Sequence, residues 1–336
     1  MSKLTTRPTP ALLDNVRVLA QLAAALVDRD RPMMVNLIVT RRCNLSCGYC
    51  VEYDKVSPPV PLATLKQRID KLAELRTVIV TLTGGETLLH PDIVELVSYV
   101  RERGMVPALN TNGYLLTRAH IEGFNTAGLY AMQISLDNVH PNAVSKKSLR
   151  PLQPKLQLLA QVATFRVRIN TVLGSGPADE ALEVAKAALA YGFDAKCALL
   201  REPSGQLAKL DAHTRAIYDQ ITKLQGRDLG LLGEDFNDKI LRDGELNWKC
   251  RAGARFFHVC ENGLVHLCTP RYGSPAKPIA AYTVDDIRLA FATQKSCTSR
   301  CPVAYAHQAS RGDAWRSQAK TENRERRNGR LHLAVV

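Results

Sequence analysis

Three closely spaced cysteines are the residues of this sequence whose types and spacing most directly indicate chemistry. Cys43, Cys47 and Cys50 fall within residues 40–50 (TRRCNLSCGYC), directly after an apolar run. A structural zinc site needs four ligands, and a disulfide would leave one thiol over. A four-iron, four-sulfur cluster held by three cysteines fits the count, because it leaves one iron open to bind another group.

The cysteine total and the composition indicate thiols that are kept reduced. The 336 residues are 46% hydrophobic and 23% charged, which suits a chain with one large α/β core, or a core and a smaller module. Nine cysteines, an odd number, in a long chain without an evident export signal point to metal or redox chemistry and to the cytoplasm.

Two segments raise the question of a membrane or nucleic-acid partner. Residues 16–27 are apolar but contain Arg17 and Gln21, so we predict an amphipathic helix that packs on the main domain, with peripheral membrane contact as the alternative.

The net charge of +13 lies partly in residues 311–336. We predict that this basic tail is flexible and solvated, and we favour a solubilising role over nucleic-acid binding.

The elements that must position the cysteines follow from the hydrophobic pattern. The predicted strands are residues 35–40, 78–83, 106–110, 131–137, 167–173 and 195–200. The predicted helices between them are residues 62–75, 92–103, 117–127, 152–164 and 178–191. This alternation predicts an α/β fold of parallel βαβ units with right-handed crossovers, and so a partial (β/α)6 barrel of the TIM type.

Polar and thiol residues follow the carboxyl ends of these strands. In parallel α/β architectures the carboxyl ends of the strands meet at one mouth, where chemistry gathers. The residues that we expect to meet there are Cys43, Gly84, Asn112, Ser135, Asn170 and Arg201.

At this point the sequence resembles the radical S-adenosylmethionine superfamily. Its signature is the spacing CxxxCxxC with an aromatic residue before the last cysteine, here Tyr49. The resemblance implies that Cys43, Cys47 and Cys50 hold a 4Fe-4S cluster whose open iron binds S-adenosylmethionine. It extends over residues 34–202, because further family landmarks appear in order at the predicted strands.

These landmarks imply a set of cofactor-binding residues. Gly84, Gly85 and Glu86 match the glycine turn that binds the methionyl amine in the family, although Thr87 stands where most relatives have proline. The resemblance adds Tyr49, Asn112, Ser135, Asp137 and Asn170. Asn112 and Asp137 could instead simply close turns. Arg168 shares a strand face with Asn170 and is a candidate catalytic residue, as is Cys197 on the sixth strand.

Five further cysteines follow the predicted barrel. Residues 256–268 read as a β-hairpin with a glycine-bearing turn. This segment resembles the SPASM and twitch modules, which implies a second 4Fe-4S cluster on Cys250, Cys268, Cys297 and Cys301, with Cys260 as a substitute ligand. Zinc on four of these thiols is the non-redox alternative. The predicted domains are a helical extension (1–33), the barrel (34–225), the hairpin and helix module (226–310) and the tail (311–336).

The resemblance implies a 5′-deoxyadenosyl radical that abstracts hydrogen from substrate, and an external one-electron reductant such as flavodoxin or ferredoxin. In one hypothesis the second cluster accepts an electron, which gives dehydrogenation or a bond-forming oxidation. In the other the reaction is redox-neutral, such as epimerisation or adenosyl or carbon transfer, and a side chain such as Cys197 quenches the radical.

The sequence favours a small-metabolite, sugar-like or lipid-linked substrate. Peptide-modifying relatives often carry a recognition domain before the barrel, and the segment before the first predicted strand is shorter than an ordinary domain. A peptide-modifying enzyme is the alternative.

Overall fold

The computed structural model describes residues 12–50, 53–201, 207, 209–224, 236–314 and 316. Its first half is the predicted series of alternating strands and helices. The strands are β1 Met34–Thr40, β2 Ile79–Gly84, β3 Val106–Thr111, β4 Ala131–Ser135, β5 Arg166–Leu173 and β6 Asp194–Leu199. The helices are α1 Leu12–Val27, α2 Leu62–Glu74, α3 Ile93–Glu102, α4 Arg118–Ala127, α5 Leu149–Val162 and α6 Ala178–Ala190.

All six strands pair in parallel in the order β6-β5-β4-β3-β2-β1, which confirms the predicted partial barrel. The helix α5 begins three residues before its predicted start. The reason is that Pro151 lies in its first turn, where a proline costs no intrahelical hydrogen bond.

The C-terminal part of the chain continues the same sheet. Its strands are β7 Phe256–Val259, β8 Leu264–His266 and β9 Pro275–Pro278, and its helices are α7 Ala212–Leu224, α8 Phe236–Asp243, α9 Val284–Ala292 and α10 Ala304–Arg311. Strand β7 pairs in parallel with β1, β8 pairs antiparallel with β7, and β9 pairs antiparallel with β8 at the edge of the sheet. The predicted hairpin is therefore present, but it extends the barrel sheet next to the strand that leads to the three cysteines.

The two faces of the sheet differ because side chains alternate along each strand. In β1, Val35, Leu37 and Val39 are buried in the large core shared with the helices. Their neighbours Met34 and Asn36 therefore point to the inner face. The same alternation puts Gln133 of β4 on the inner face, between the core residues Met132 and Ile134.

The N-terminal helix packs on the barrel, as the sequence favoured. Val18 and Ala25 of α1 are buried against Val78 and Val106. Among the described residues, no helix combines the length and apolar character that a membrane span requires.

The predicted start of the basic tail falls inside the packed structure. Helix α10 runs to Arg311, and Asp313 is 1% exposed and forms an ion pair with the fully buried Arg255 (Nε to Oδ2 2.7 Å). Arg316 donates hydrogen bonds to the carbonyls of Leu26 and Val27 at the end of α1. Residues 1–11 of the predicted extension and 317–336 of the predicted tail lie outside the described residues.

Candidate functional site

The loop that carries the first three cysteines leaves β1 and packs against the turn after β2. The amides of Gly85 and Glu86 donate to the carbonyls of Thr40 (2.8 Å) and Arg42 (2.9 Å). A Cβ atom on Gly84 would lie 2.1 Å from the Thr40 carbonyl oxygen, and one on Gly85 would lie 2.3 Å from that of Arg41. Glycine is therefore required at both positions, because the cysteine loop and the turn approach each other backbone to backbone.

Thiols of this loop accept backbone hydrogen bonds. The Leu45 amide donates to the Sγ of Cys43 (3.4 Å), and the Lys146 amide donates to the Sγ of Cys47 (3.3 Å). Cys43 also interacts electrostatically with Cys50, and burial raises the pKa of the Cys43 thiol. Amide donors stabilise the thiolate form, which is the form that ligates metals. The donor set thus fits a cluster ligated by three thiolates.

A buried polar network ties this loop to the ends of β4 and β5. The Tyr49 hydroxyl donates to Asp137 Oδ2 (2.7 Å), and Ser145 Oγ donates to the same oxygen (2.6 Å). The other oxygen of Asp137 accepts from the Val172 amide (3.1 Å). Lys147 Nζ donates to the Tyr49 hydroxyl (2.8 Å). Asp137 is fully buried, so its place in the structure is to hold the cysteine loop.

The structure adds a role in holding the cysteine loop for Tyr49 and Asp137, and their predicted contacts with the cofactor stay predictions. The Tyr49 hydroxyl and both carboxylate oxygens of Asp137 already have protein partners. Sequence reasoning missed Ser145 and Lys147 altogether. The signal that could have found them is weak, since they belong to a polar loop without a motif, and only the fold brings that loop beside Cys47.

Glu86 is a buried residue that links the turn after β2 to the end of β3. Its side chain is fully buried and accepts hydrogen bonds from Thr111 Oγ1 (2.5 Å), the Asn112 amide (2.7 Å) and the Leu88 amide (3.0 Å). Burial raises the pKa of Glu86, and these hydrogen bonds oppose that shift. Within the protein, this carboxylate joins the ends of β2 and β3. Its contact with the methionyl amine stays a prediction.

The structure brings several other predicted residues together at the strand ends. Asn112 follows β3, donates to Asn44 Oδ1 (2.7 Å) and lies 3.8 Å from the Sγ of Cys43. On the inner face, Asn170 of β5 is the direct neighbour of Ser135 on β4 and of Lys196 on β6. Lys196 was not predicted as a site residue. The alternation of side chains along the sixth predicted strand could have placed it on the same face as Asn170.

Cys197 lies on the face of β6 that packs against the helices. It alternates with Lys196 and packs, together with Ala195 and Leu199, against the core that the sheet shares with the helices. This orientation follows from the two-residue period of the strand and argues against the candidate catalytic role of Cys197, which stays a prediction. Arg168 does face inward, two residues before Asn170, and lies 3.9 Å from Asp194.

The C-terminal cysteines form a second group. Electrostatic interactions connect Cys268 with Cys250 and Cys297, and connect Cys301 with all three. Thiols of this group accept backbone amide hydrogen bonds, from Ala252 to Cys250 (3.4 Å), from Arg271 to Cys268 and from Val303 to Cys301. Burial raises the pKa of Cys268 to about 11 and that of Cys301 to about 12. A metal bound by these thiols would have to displace their protons.

Cys260 stands apart from this group. It is buried in the turn between β7 and β8, where it forms a hydrogen bond with the Tyr272 side chain. No group of three or more His, Cys, Asp or Glu side chains among the described residues is arranged to hold a single metal ion. The fit of both cysteine groups to a cluster therefore rests on thiol chemistry, amide donors and mutual proximity.

The second group lies on the inner face of the barrel. Cys250, Cys268 and Cys301 share a buried apolar cluster with Phe256 of β7, and Met34 of β1 packs against it. The Tyr305 hydroxyl of α10 donates to Gln133 Oε1 (3.4 Å) in the middle of β4. Cys268 interacts with Arg201, which follows β6 at the far edge of the sheet. The C-terminal segment thus reaches across the inner face from β1 to β4.

A family model for the radical SAM superfamily matches residues 37–200. Residues 37–200 form a radical SAM domain. Members of this superfamily use a 4Fe-4S cluster and S-adenosylmethionine. The matched segment contains Cys43, Cys47, Cys50 and all strand-end residues from Gly84 to Asn170.

Two curated relatives share the domain but only part of their length with this chain. The AdoMet-dependent heme synthase of Methanosarcina barkeri (strain Fusaro / DSM 804) is 29% identical over 201 residues, which are 57% of each chain. The PqqA peptide cyclase of Gluconobacter oxydans (strain 621H) is 36% identical over 111 residues, which are 32% of this chain and 31% of the relative. The chain therefore spans 57% of the length of the first relative and 31% of the length of the second.

A solved radical SAM structure shares the fold over most of the chain. Streptococcus suis SuiB bound to S-adenosylmethionine superposes with a TM-score of 0.59 at 17% identity, covering 81% of this chain and 69% of SuiB. At this identity the likeness concerns the fold alone. It includes residues beyond the matched domain, since 81% of the chain is more than residues 37–200 provide.

Proposed function

We propose that this protein is a radical SAM oxidoreductase in which a second iron–sulfur cluster, held by Cys250, Cys268, Cys297 and Cys301, accepts an electron from substrate. The observation that carries the proposal is the packing of Cys250, Cys268 and Cys301 on the inner face of the barrel sheet, with the exposed Cys297 near them in the chain. When bound at Cys43, Cys47 and Cys50, the first cluster and S-adenosylmethionine supply hydrogen abstraction from an unactivated carbon.

The residues of the chain divide this work between positioning and binding. The glycine turn and the Tyr49–Asp137 network hold the cysteine loop, and Asn112 borders Cys43. Ser135, Asn170 and Lys196 line the adjacent inner face, and we assign to them direct contacts with the cofactor or substrate. An external one-electron reductant such as flavodoxin or ferredoxin and a cytoplasmic location remain our predictions.

Two substrate classes are candidates, and an activity assay with both distinguishes them. The sequence favoured a small metabolite, sugar derivative or lipid-linked compound. One relative acts on a peptide, as its name states, and this supports a peptide substrate as the second candidate. The redox-neutral alternatives are epimerisation and adenosyl or carbon transfer. The version in which Cys197 quenches the substrate radical is less favoured, because Cys197 faces the helices.

The test begins with iron. After anaerobic reconstitution we expect about eight irons per chain, as two four-iron clusters, and about four in the Cys43→Ala/Cys47→Ala/Cys50→Ala variant. Wild-type protein with reductant and S-adenosylmethionine should form 5′-deoxyadenosine, and the triple variant should not. With candidate metabolites and peptides, an oxidised product should accumulate one for one with deoxyadenosine. Full iron in the triple variant, or turnover that does not consume S-adenosylmethionine, would contradict the proposal.

A further inference from the structure

A buried lysine lies beside the second cysteine group. Lys295 follows α9, two residues before Cys297, and is 7% exposed. Its ammonium donates hydrogen bonds to the carbonyl of Cys250 (3.3 Å) and to that of Ala290. These two carbonyls fix the position of the charge next to the cysteine group, but they carry no formal charge themselves.

The described surroundings of Lys295 contain thiols and no carboxylate partner. Within the part of the chain that the structure describes, no carboxylate forms an ion pair with Lys295 within 4.0 Å. Burial lowers the pKa of Lys295 to about 8; Cys250 and Cys297 oppose that shift, and Arg251 and Lys249 add to it. A buried ammonium without a counter-ion costs several kcal/mol. Thiolates that held a cluster at this site would supply the missing negative charge.

We propose that Lys295 is a positioning residue that raises the reduction potential of the cluster on Cys250, Cys268, Cys297 and Cys301, an inference that rests on the proposed function of that cluster. Reduction adds one negative charge to the cluster. A fixed positive charge in a buried setting stabilises that added charge more than it would in water. Net charge and burial are among the factors that set iron–sulfur potentials. A raised potential suits a cluster that takes an electron from substrate.

The potential can be measured on this cluster alone. In full-length protein carrying Cys43→Ala/Cys47→Ala/Cys50→Ala, the second cluster is the one expected to remain, and dithionite reduces it by one electron. An anaerobic redox titration followed by electron paramagnetic resonance gives its midpoint. We expect Lys295→Met to shift the midpoint to a more negative value by about 59 mV or more, a tenfold change for a one-electron couple. Lys295→Arg should stay near the parent value.

Two further variants make the test specific. Lys249→Met removes an exposed charge that neighbours Cys250 in sequence, and we expect a much smaller shift. Lys295→Gln keeps hydrogen-bonding capacity without charge, and should shift the midpoint as Lys295→Met does. An unchanged midpoint in both uncharged variants overturns the inference. Loss of the cluster from both, with retention in Lys295→Arg, also overturns it, because the charge would then serve cluster binding. Absence of iron from the triple variant itself would instead refute the second cluster.

Discussion

At the scale of single residues, the site depends on buried side chains that hold the cysteine loop in place. Asp137 receives hydrogen bonds from Tyr49, Ser145 and the Val172 amide, so it joins the loop to two strands. Hydrogen bonds to a charged group contribute about 1.5–3 kcal/mol each when buried. The cofactor therefore need not touch Asp137 for this residue to affect the first cluster.

We expect Asp137→Ala to release iron from the first cluster faster than wild type, because Tyr49 and Ser145 lose their shared acceptor. The measurement is anaerobic iron transfer to a chelator, with Cys268→Ala as the background so that the first cluster is followed. Asp243→Ala is the matched control, since Asp243 is exposed on the surface. Equal rates of iron loss in Asp137→Ala and the control would contradict the positioning role.

Cys197 provides a prediction of the opposite kind. Its side chain packs towards the helices, so Cys197→Ala should leave iron content, deoxyadenosine formation and product yield close to wild type. The loss of one sulfur should cost about 1 kcal/mol of stability at this partly exposed site. A variant that stays folded and keeps both clusters but forms no product would restore Cys197 as a catalytic residue.

At the scale of elements, the turn after β2 and the loop after β1 fit together because neither glycine has a side chain. Gly85→Ala would place a methyl group 2.3 Å from the Arg41 carbonyl oxygen, and backbone atoms cannot move away cheaply. We expect a loss of stability of about 1–3 kcal/mol and reduced iron binding by the first cluster. Thermal unfolding and iron analysis after reconstitution measure the two effects.

Gly48→Ala is the control for this change, because Gly48 lies in the same cysteine loop and its added Cβ would meet its nearest atom at 3.5 Å, an ordinary contact. The steric account requires that Gly85→Ala be clearly worse than Gly48→Ala. Similar stability and iron content in the two variants would rule it out.

The ion pair between Arg255 and Asp313 joins three elements. Arg255 precedes β7, Asp313 follows α10, and Arg255 Nη1 also donates to the carbonyls of Asp28 and Arg31 after α1. Both side chains are fully buried, so Asp313→Asn leaves a buried guanidinium without its counter-charge. We expect a loss of about 3–5 kcal/mol in the free energy of unfolding. Urea unfolding measures it, with the exposed Asp285→Asn as control; equal stability of the two variants would contradict the account.

At the scale of the whole molecule, the C-terminal segment extends the sheet beside β1, contacts β4, and holds Cys250, Cys268 and Cys301 on the inner face. We expect Cys268→Ala to retain S-adenosylmethionine cleavage, because the first cysteine group is untouched, and to lose the oxidised product. Deoxyadenosine and product are measured in the same reaction by mass spectrometry. A folded, substrate-binding Cys268→Ala protein that forms full product would rule out electron transfer to the second cluster.

The sequence by itself determined the elements and the first cysteine group. The strands and helices of the barrel follow from local periodicity, since a strand or helix must bury one face of its own sequence. The spacing of Cys43, Cys47 and Cys50 and the glycine pair are local features as well. For this reason the amino-acid sequence alone is enough to predict the radical SAM domain.

Only the tertiary structure decided the burial and the protein partners of Glu86, Asp137 and Cys197, because these depend on contacts between segments far apart in the chain. Glu86 meets residues of β3, and Asp137 meets Tyr49 from the cysteine loop. The parallel pairing of β7 with β1 likewise joins residues more than two hundred positions apart. Local pattern carries no information about such pairings, so the packing of the second cysteine group and of Lys295 could come only from the fold.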